Sequence, residues 1–457
     1  MRAILFTVLC YFALCTNVTG QTITDVINAV SLDSLKLNLK EFSGEQPTIV
    51  NGNTVTILNR VESNNDLAAD YLLEKLNSYN NLTVVDQLID GQAGRRNIIA
   101  TQLGKTNPDA IYMICAHYDS TYDYCADDNA SGTAAVLEIA RILSTQCLDN
   151  TIVYALWDEE EIGLIGSRYY ANQAAANNKN ILGVLNIDMM GYDGNDDNKF
   201  DIDVRDVANS LGMKNDIISI LNNPEYGFTL DVVVVNPGTT ASDHSRFWSK
   251  GYSAVLVGES WETNDQTPFY HNPADKYNTL NFPYYHELTK LIMGYMVTKA
   301  GLVEVDNTIT QNANLFTANQ NEAEYQWIDC ETNTAIPGAT NQSFIPTENG
   351  NYAVEVTIGT CTEKSDCVLY NSLSVDEFNS NEFTIYPNPV KSHLVIEIAN
   401  NSEKAAIELL DVTGKIILKK TTSTSKTTLN LSALNSGVYF LKVLTNNKYK
   451  VSKIVKE

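Results

Sequence analysis

The sequence predicts an α/β domain, a mixed β-sheet flanked by helices, followed by two small β-sandwich domains. Three observations carry this reading. Up to about Val303, apolar runs ending in polar residues alternate with segments of helical period, the pattern of a sheet covered by helices on both faces. After Val305 that alternation gives way to short strand-like runs broken by closely spaced turn residues, as expected of a sandwich. From about Phe383 a further series of β runs begins, and here lysines outnumber acids. A chain of 457 residues is expected to form two or three domains. The divisions fall at 1–20, 21–303, 304–372 and 373–457.

The start, MRAILFTVLCYFALCTNVTGQTIT, has the three parts of a secretory signal. Arg2 supplies the positive end, Ala3 to Cys15 the apolar core, and Val18-Thr19-Gly20 a small-residue cleavage site before Gln21. The core is too short to span a membrane, and no later stretch is long enough. The mature chain is therefore expected to be exported without a membrane span. A formal net charge of -24 excludes a nucleic-acid partner, which would require a basic stripe. Most of that charge reads as a solubilising surface. Six cysteines remain after cleavage, three in each half of the chain. Their spacing lacks the CxxC knuckles of a structural zinc site, and the sequence does not choose a pairing.

Within 21–303, NNDLAADYLLEKLNSY (Asn64 to Tyr79) opens with cap-type residues and predicts a helix. AIYMICAHYD, TIVYALWDEEE, ILGVLNIDMMGYD and YSAVLVGES predict strands, and SGTAAVLEIARIL a helix burying Val136, Leu137, Ala140 and Leu143. In such a sheet, ligands bind beyond the carboxyl ends of the strands. Strand Ile111–Ala116 ends in His117, strand Ile152–Trp157 in Asp158 to Glu161, and strand Val184–Ile187 in Asp188. Three strand ends thus bring an imidazole and several carboxylates to one edge. The loops SDHSRFW and FYHNPAD flank the strand carrying Ala254 to Val257 and can reach the same edge. Imidazole and carboxylate together suit zinc. A carboxylate bridging two metals would relieve the repulsion among the acids of AHYDSTYDYCADDNASGTAA.

These motifs, AHYDS, ADDNASG, DEEEIGLIGS, NIDMMGYD, ASDHSRFW and FYHNPADKYNTL, resemble the secreted co-catalytic zinc aminopeptidases, relatives of glutamate carboxypeptidase and the transferrin receptor, and stand in the family's order. The resemblance covers about Gln21 to Val303 and implies the zinc exopeptidase fold. It implies two zinc ions, His117 and Asp188 holding one, Glu161 and His271 the other, with Asp127 in the bridging place. Glu160 resembles the general base and Asp119 the acid that orients His117. The family's unusual cis peptide would fall at Asp127–Asp128. The implied reaction is removal of N-terminal residues from peptides and proteins with free N-termini. Glutaminyl cyclases share the fold with a single zinc, but both histidines, the ADD and the EE pair favour two metals. Carboxypeptidases use the same metal core, and the receptor relatives are inactive; Glu160 and the intact ligand positions speak against a dead domain.

Where several members carry a tyrosine before the SDH motif, this chain has Thr239 and Thr240. Ser242-Asp243-His244 is too compact to read as a catalytic triad. GYDGNDDNKFDID (Gly191 to Asp203) reads as a solvated acidic turn rather than a calcium loop, because its glycine is misplaced. The glycosylation triplet at Asn129 lies inside the metal motif, where no glycan is expected, and the other such triplets are read as incidental. Trp248, Trp261 and Phe269 line a pocket or pack in the core.

Residues 304–372 suggest an immunoglobulin-like sandwich with no catalytic pattern. In the tail, YPNPV, ELLDVTGKII, LNLSALNSGVYFLKV and KVSKIVKE resemble the C-terminal sorting domain of type IX secretion. That resemblance implies the type IX machinery as a partner and a destination outside the cell or on its outer surface.

Overall fold

The computed structural model of the chain describes residues 22–61, 65–358, 361–371, 376–377, 383–399, 404–445 and 448–457. The expected signal at 1–20 and most of the link at 373–382 lie outside the described residues. The chain divides into two units: 1–307 with 320–324 and 356–363, and 308–319 with 325–355 and 364–457. Most of the expected sandwich and the tail share the second unit, while 304–307, 320–324 and 356–363 of the sandwich segment count with the first.

The first unit opens with α1 (Ile23–Asn28), closed by a capping box between Thr22 and Asp25, then α2 (Leu32–Phe42). A short hairpin of β1 (Thr48–Val50) and β2 (Asn53–Val55) follows, then α3 (Asp66–Asn77), the helix read from Asn64 to Tyr79. Eight strands form one sheet: β3 (Thr83–Leu88), β4 (Arg96–Gln102), β5 (Asn107–His117), β6 (Asn150–Trp157), β7 (Ile181–Ile187), β8 (Lys199–Asp203), β9 (Asp231–Val235) and β10 (Ala254–Glu259). Their order is β3-β4-β6-β5-β7-β10-β8-β9. The central four, β6, β5, β7 and β10, run parallel, so their carboxyl ends share one edge. Pairing turns antiparallel between β4 and β6 and between β10 and β8.

The period-2 alternation of the strands fills a core on each face. On β5 and β6, Ile114, Ala116, Tyr154 and Leu156 join one cluster with residues of α4 (Gly132–Leu143) and α8 (Phe282–Ala300). Met113, Cys115, Val153, Ala155 and Trp157 join the other, against Tyr170 of α5 (Ile165–Ala176) and Phe247 of α7 (His244–Trp248). Burying both faces explains the continuous apolar runs of these strands. The cysteines pair as Cys147–Cys361, across the halves of the chain, and Cys330–Cys367, while Cys115 and Cys125 are free and buried.

In the second unit, Ile309–Asn312, Leu315–Ala318 and Ser343–Phe344 form a three-stranded sheet. A five-stranded sheet is built around Glu324–Asp329 and Gly350–Ile358, and Trp327 is fully buried. The terminal segment adds a five-stranded and a three-stranded sheet around a core of Val390, Leu394, Ile396, Ile407, Leu441 and Ile454. Among the described residues, no helix is long and apolar enough to cross a membrane.

Candidate active site

The carboxyl edge of the parallel strands gathers the expected groups. His117 closes β5, Asp158 to Glu161 follow β6, and Asp188 follows β7. His117 is buried, with Nε2 3.3 Å from Oδ1 of both Asp128 and Asp188. His271 reaches in from its loop with a left-handed backbone (φ 50). Its Nε2 lies 2.9 Å from Glu161 Oε2 and 3.3 Å from Asp128 Oδ2. Asp128 therefore stands between the two histidines with one oxygen toward each.

This corrects the sequence reading, which put Asp127 in that place. Asp127 turns away: its Oδ1 accepts the N–H of Gly191 at 2.7 Å, and its side chain faces the fully buried Glu259. The reason lies in how the loop is clamped. The Asp275 carboxylate accepts the N–H of Asp127 at 2.9 Å and that of Asp128 at 3.0 Å. Asn129, fully buried, donates to Ile187 O and accepts from Gly132 N, both at 3.0 Å, so it is a structural clamp and no place for a glycan. Held at both ends, successive side chains diverge, and only Asp128 meets the histidines. The cis peptide lies at Asp128–Asn129, one residue beyond the expected Asp127–Asp128.

Asp119 lies beside the His117 ring: its carbonyl oxygen is 3.2 Å and its Oδ1 3.4 Å from Nδ1. The two carboxylate oxygens accept the N–H groups of Glu160 (3.1 Å) and Glu161 (3.2 Å). One residue thus touches a ring and holds the backbone of two further acids. Asp188 is held by Ser242, whose Oγ donates to Oδ2 at 2.6 Å and accepts from Asn186 Nδ2 at 2.8 Å. His244 turns instead to the Thr239 carbonyl, 3.0 Å away, so Ser242, Asp243 and His244 serve separate contacts. The guanidinium of Arg60, fully buried, donates to the carbonyls of Phe42, Tyr118, Tyr124 and Cys125, tying down the loop before the ADD motif.

The electrostatics are those of acids crowded without enough positive charge. Burial pushes the Glu160 carboxyl well up and that of Glu161 up to about 8, with Asp128 adding to the latter. Burial also lifts Asp243 to about 7. Asp128 goes the other way: burial opposes its charge, but hydrogen bonds and charge from His117 and His271 hold its carboxyl well below the usual range. His117 is raised despite burial, because Asp188 and Glu160 favour its charged form. A metal fits this donor set. His117, Asp128 and Glu161, and again His117, Glu160 and Asp188, each present ligand atoms within 4.8 Å of one another. Glu161 Oε1 is buried with no hydrogen-bond partner, and Asp128 Oδ2, also buried, has only the 3.3 Å approach of His271 Nε2, an arrangement costly without a cation. Mixed imidazole and carboxylate oxygen is the donor chemistry of zinc.

These groups line a cavity of about 380 Å³. Thr239, Trp261 and Tyr270 line it too; Trp248 instead packs in the core against His244, and Phe269 is not among the lining residues. Asp275, Ser242 and Asn186 are the supporting residues that sequence reasoning did not assign. The FYHNPAD and SDH motifs held the first two, but nothing in them said which backbone or ligand each would contact.

Residues 97–296 match the model of peptidase family M28, and residues 384–457 that of a secretion system C-terminal sorting domain. Aminopeptidase YwaD of Bacillus subtilis is 30% identical over 185 residues, 39% of this chain and 39% of its own length. Leupeptin-inactivating enzyme 1 of Streptomyces exfoliatus is 39% identical over 126 residues, 27% of this chain and 28% of its own. The chain thus spans less than half the length of either curated relative. Among solved structures, the LapA aminopeptidase of Legionella pneumophila aligns over 63% of this chain and 78% of its own, at a TM-score of 0.53 and 18% identity. That likeness shows the fold.

Proposed function

We propose that this chain, which carries a peptidase family M28 domain ahead of a secretion system C-terminal sorting domain, is an exported zinc aminopeptidase acting on peptides with free N-termini. The observation that carries the reading is Asp128, within 3.3 Å of both His117 and His271, with Glu160 grouped beside His117 and Asp188. His117, Asp128 and Asp188 would hold one zinc, and Asp128, Glu161 and His271 the other. Zinc so bound would acidify water and polarise the scissile carbonyl. Glu160, beside His117 and Asp188 but not needed by either of these ligand sets, would be held ionised by the neighbouring zinc charge; it takes the proton of the attacking water and returns it to the departing amine. Asp119 holds the backbone of Glu160 in place for both transfers. The surrounding carboxylates suit a substrate's α-ammonium, which limits cleavage to the N-terminus. The sorting domain supports delivery by type IX secretion to the surface or beyond.

The test is metal content together with hydrolysis of free-amine and N-acetylated aminoacyl substrates, for wild type and Glu160→Gln. Two zinc ions per chain are expected, with cleavage of free-amine substrates only. The variant should be folded and zinc-loaded, with kcat lower by about 10²–10⁴-fold. One ion per chain, equal cleavage of blocked substrates, or an unimpaired variant would overturn the reading.

A further inference from the structure

From the floor of the cavity we infer that the enzyme selects substrates whose N-terminal residue is basic, lysine or arginine, with Asp203 as the residue that receives the side-chain cation. The inference rests on the aminopeptidase reading and adds the substrate class. β8 pairs antiparallel with β10, setting Asp203 opposite Leu256 and Asp201 opposite Gly258. Phe200 and Ile202, the alternate residues of β8, enter the core. Asp201 and Asp203 therefore share the other face of the sheet with Leu256 and Gly258, and all four line the cavity beside the candidate metal ligands.

Two aspartates in adjacent outward positions of an interior strand oppose the usual strand composition, and both are buried, Asp203 to 8% exposure. Asp201 is internally satisfied: its oxygens accept from Ser260 Oγ and Glu262 N, each at 2.9 Å. Asp203 is not. Its Oδ1 accepts from Thr239 N at 2.6 Å, while its other oxygen has no hydrogen-bond partner among the described residues. Burial, with Asp201 and Glu262 nearby, pushes its carboxyl up to about 6, against which Arg205 is a minor opposing influence. Arg205 is engaged elsewhere, donating to Gly238 O and lying over Trp248. Among the described residues no lysine or arginine lines the cavity, whereas Glu262 adds an exposed carboxylate at its wall. A buried, half-satisfied carboxylate facing a cavity calls for a cationic partner. Leu256 and Trp261 in the same wall offer apolar surface for the methylene stem of a long basic side chain.

The experiment compares kcat/KM of zinc-loaded wild type on arginyl-, lysyl-, leucyl- and methionyl-aminomethylcoumarin, then repeats the panel with Asp203→Asn and Glu262→Gln. Arginyl and lysyl substrates should exceed leucyl and methionyl by at least about tenfold. Asp203→Asn keeps the acceptor for Thr239 N and should cut that ratio by about 10–100-fold, mainly through KM. Glu262→Gln, at an exposed position, should cut it less. Independent of any variant, L-lysine should inhibit the wild type at least about tenfold more tightly than L-norleucine. A preference for leucine or methionine, or a ratio unmoved in Asp203→Asn, overturns the inference and leaves the aminopeptidase standing. No cleavage of any free-amine substrate overturns the aminopeptidase, and the inference falls with it.

Discussion

Replacing Asp275 by asparagine should weaken zinc binding without unfolding the chain, although Asp275 stands in neither ligand set. Its carboxylate accepts two backbone N–H groups, from Asp127 (2.9 and 3.0 Å) and Asp128 (3.0 Å), and it is fully buried. Oδ2 accepts from both N–H groups, so an amide with its oxygen there keeps both bonds but turns its NH₂ group toward the Asp127 N–H in place of Oδ1, 2.9 Å away. Two buried donors then face each other, at a cost of about 1–3 kcal/mol, and charge assistance to the remaining bonds is lost. The loop can escape that cost by shifting Asp128, the residue between both histidines. A shift that relieves the mismatch therefore appears as lost metal affinity, about 10–100-fold, the usual size for a supporting residue. Competition with a chelating indicator measures the affinity, and far-UV circular dichroism checks the fold. Since bound metal stabilises by mass action, the zinc-induced rise in melting temperature should shrink in parallel. A folded variant whose affinity for both ions stays within about threefold of wild type would refute the claim that Asp275 sets the position of Asp128.

Ser242→Ala removes the hydroxyl that donates to Asp188 at 2.6 Å and has no contact with Glu161 or His271. It should lower the affinity of one zinc by about tenfold and leave the other nearly unchanged; a two-step titration in which both ions weaken equally would count against it. His244 makes a pH prediction. Burial drives its imidazole down from 6.5 to about 3, so the folded state refuses a proton that the unfolded chain accepts below pH 6.5. Its contribution to stability is full above that pH and is lost as pH falls toward 3, by about 1.4 kcal/mol per pH unit. The stability difference between wild type and His244→Gln should therefore shift against wild type from pH 6.5 to 4.5 in denaturant unfolding, and a constant difference would show the ring is not held neutral.

The parallel sheet and its edge were legible because each strand announces itself as an apolar run with chemistry at its end. His117, Asp188 and the acids after Trp157 could be placed together by topology alone. What the sequence did not carry was rotation within a motif. Asp127 and Asp128 are adjacent and chemically identical, and which one faces the histidines depends on the backbone contacts made by Asp275 and Asn129, residues distant in sequence or outside the acid pair. The disulfides were illegible for a related reason. Cys147 and Cys361 are separated by 214 residues, and only the folded chain brings them near.

The stretch from Gly191 to Asp203 shows a second kind of limit. Read along the chain, its acids alternate with small and polar residues and look like one solvated turn. In the first part Asp193 is buried rather than solvated: it accepts the N–H groups of Asp197 and Asn198, the turn closes on itself, and Asp193, Asp197 and Asp265 bring carboxylate oxygens within 4.8 Å of one another. From Lys199 onward, however, the same alternation is that of a strand, and β8 enters the sheet beside β10. Alternating acids in a turn point in different directions, whereas alternating acids in a paired strand point together. Pairing thus converts two residues of an acidic composition into the floor of a cavity next to the candidate metal centre. A net charge of -24 says little about function while its acids are counted, because most of them lie in solvent. The acids that bear on specificity are those the sheet has withdrawn from solvent without supplying a cation, and Asp203 is the clearest of these.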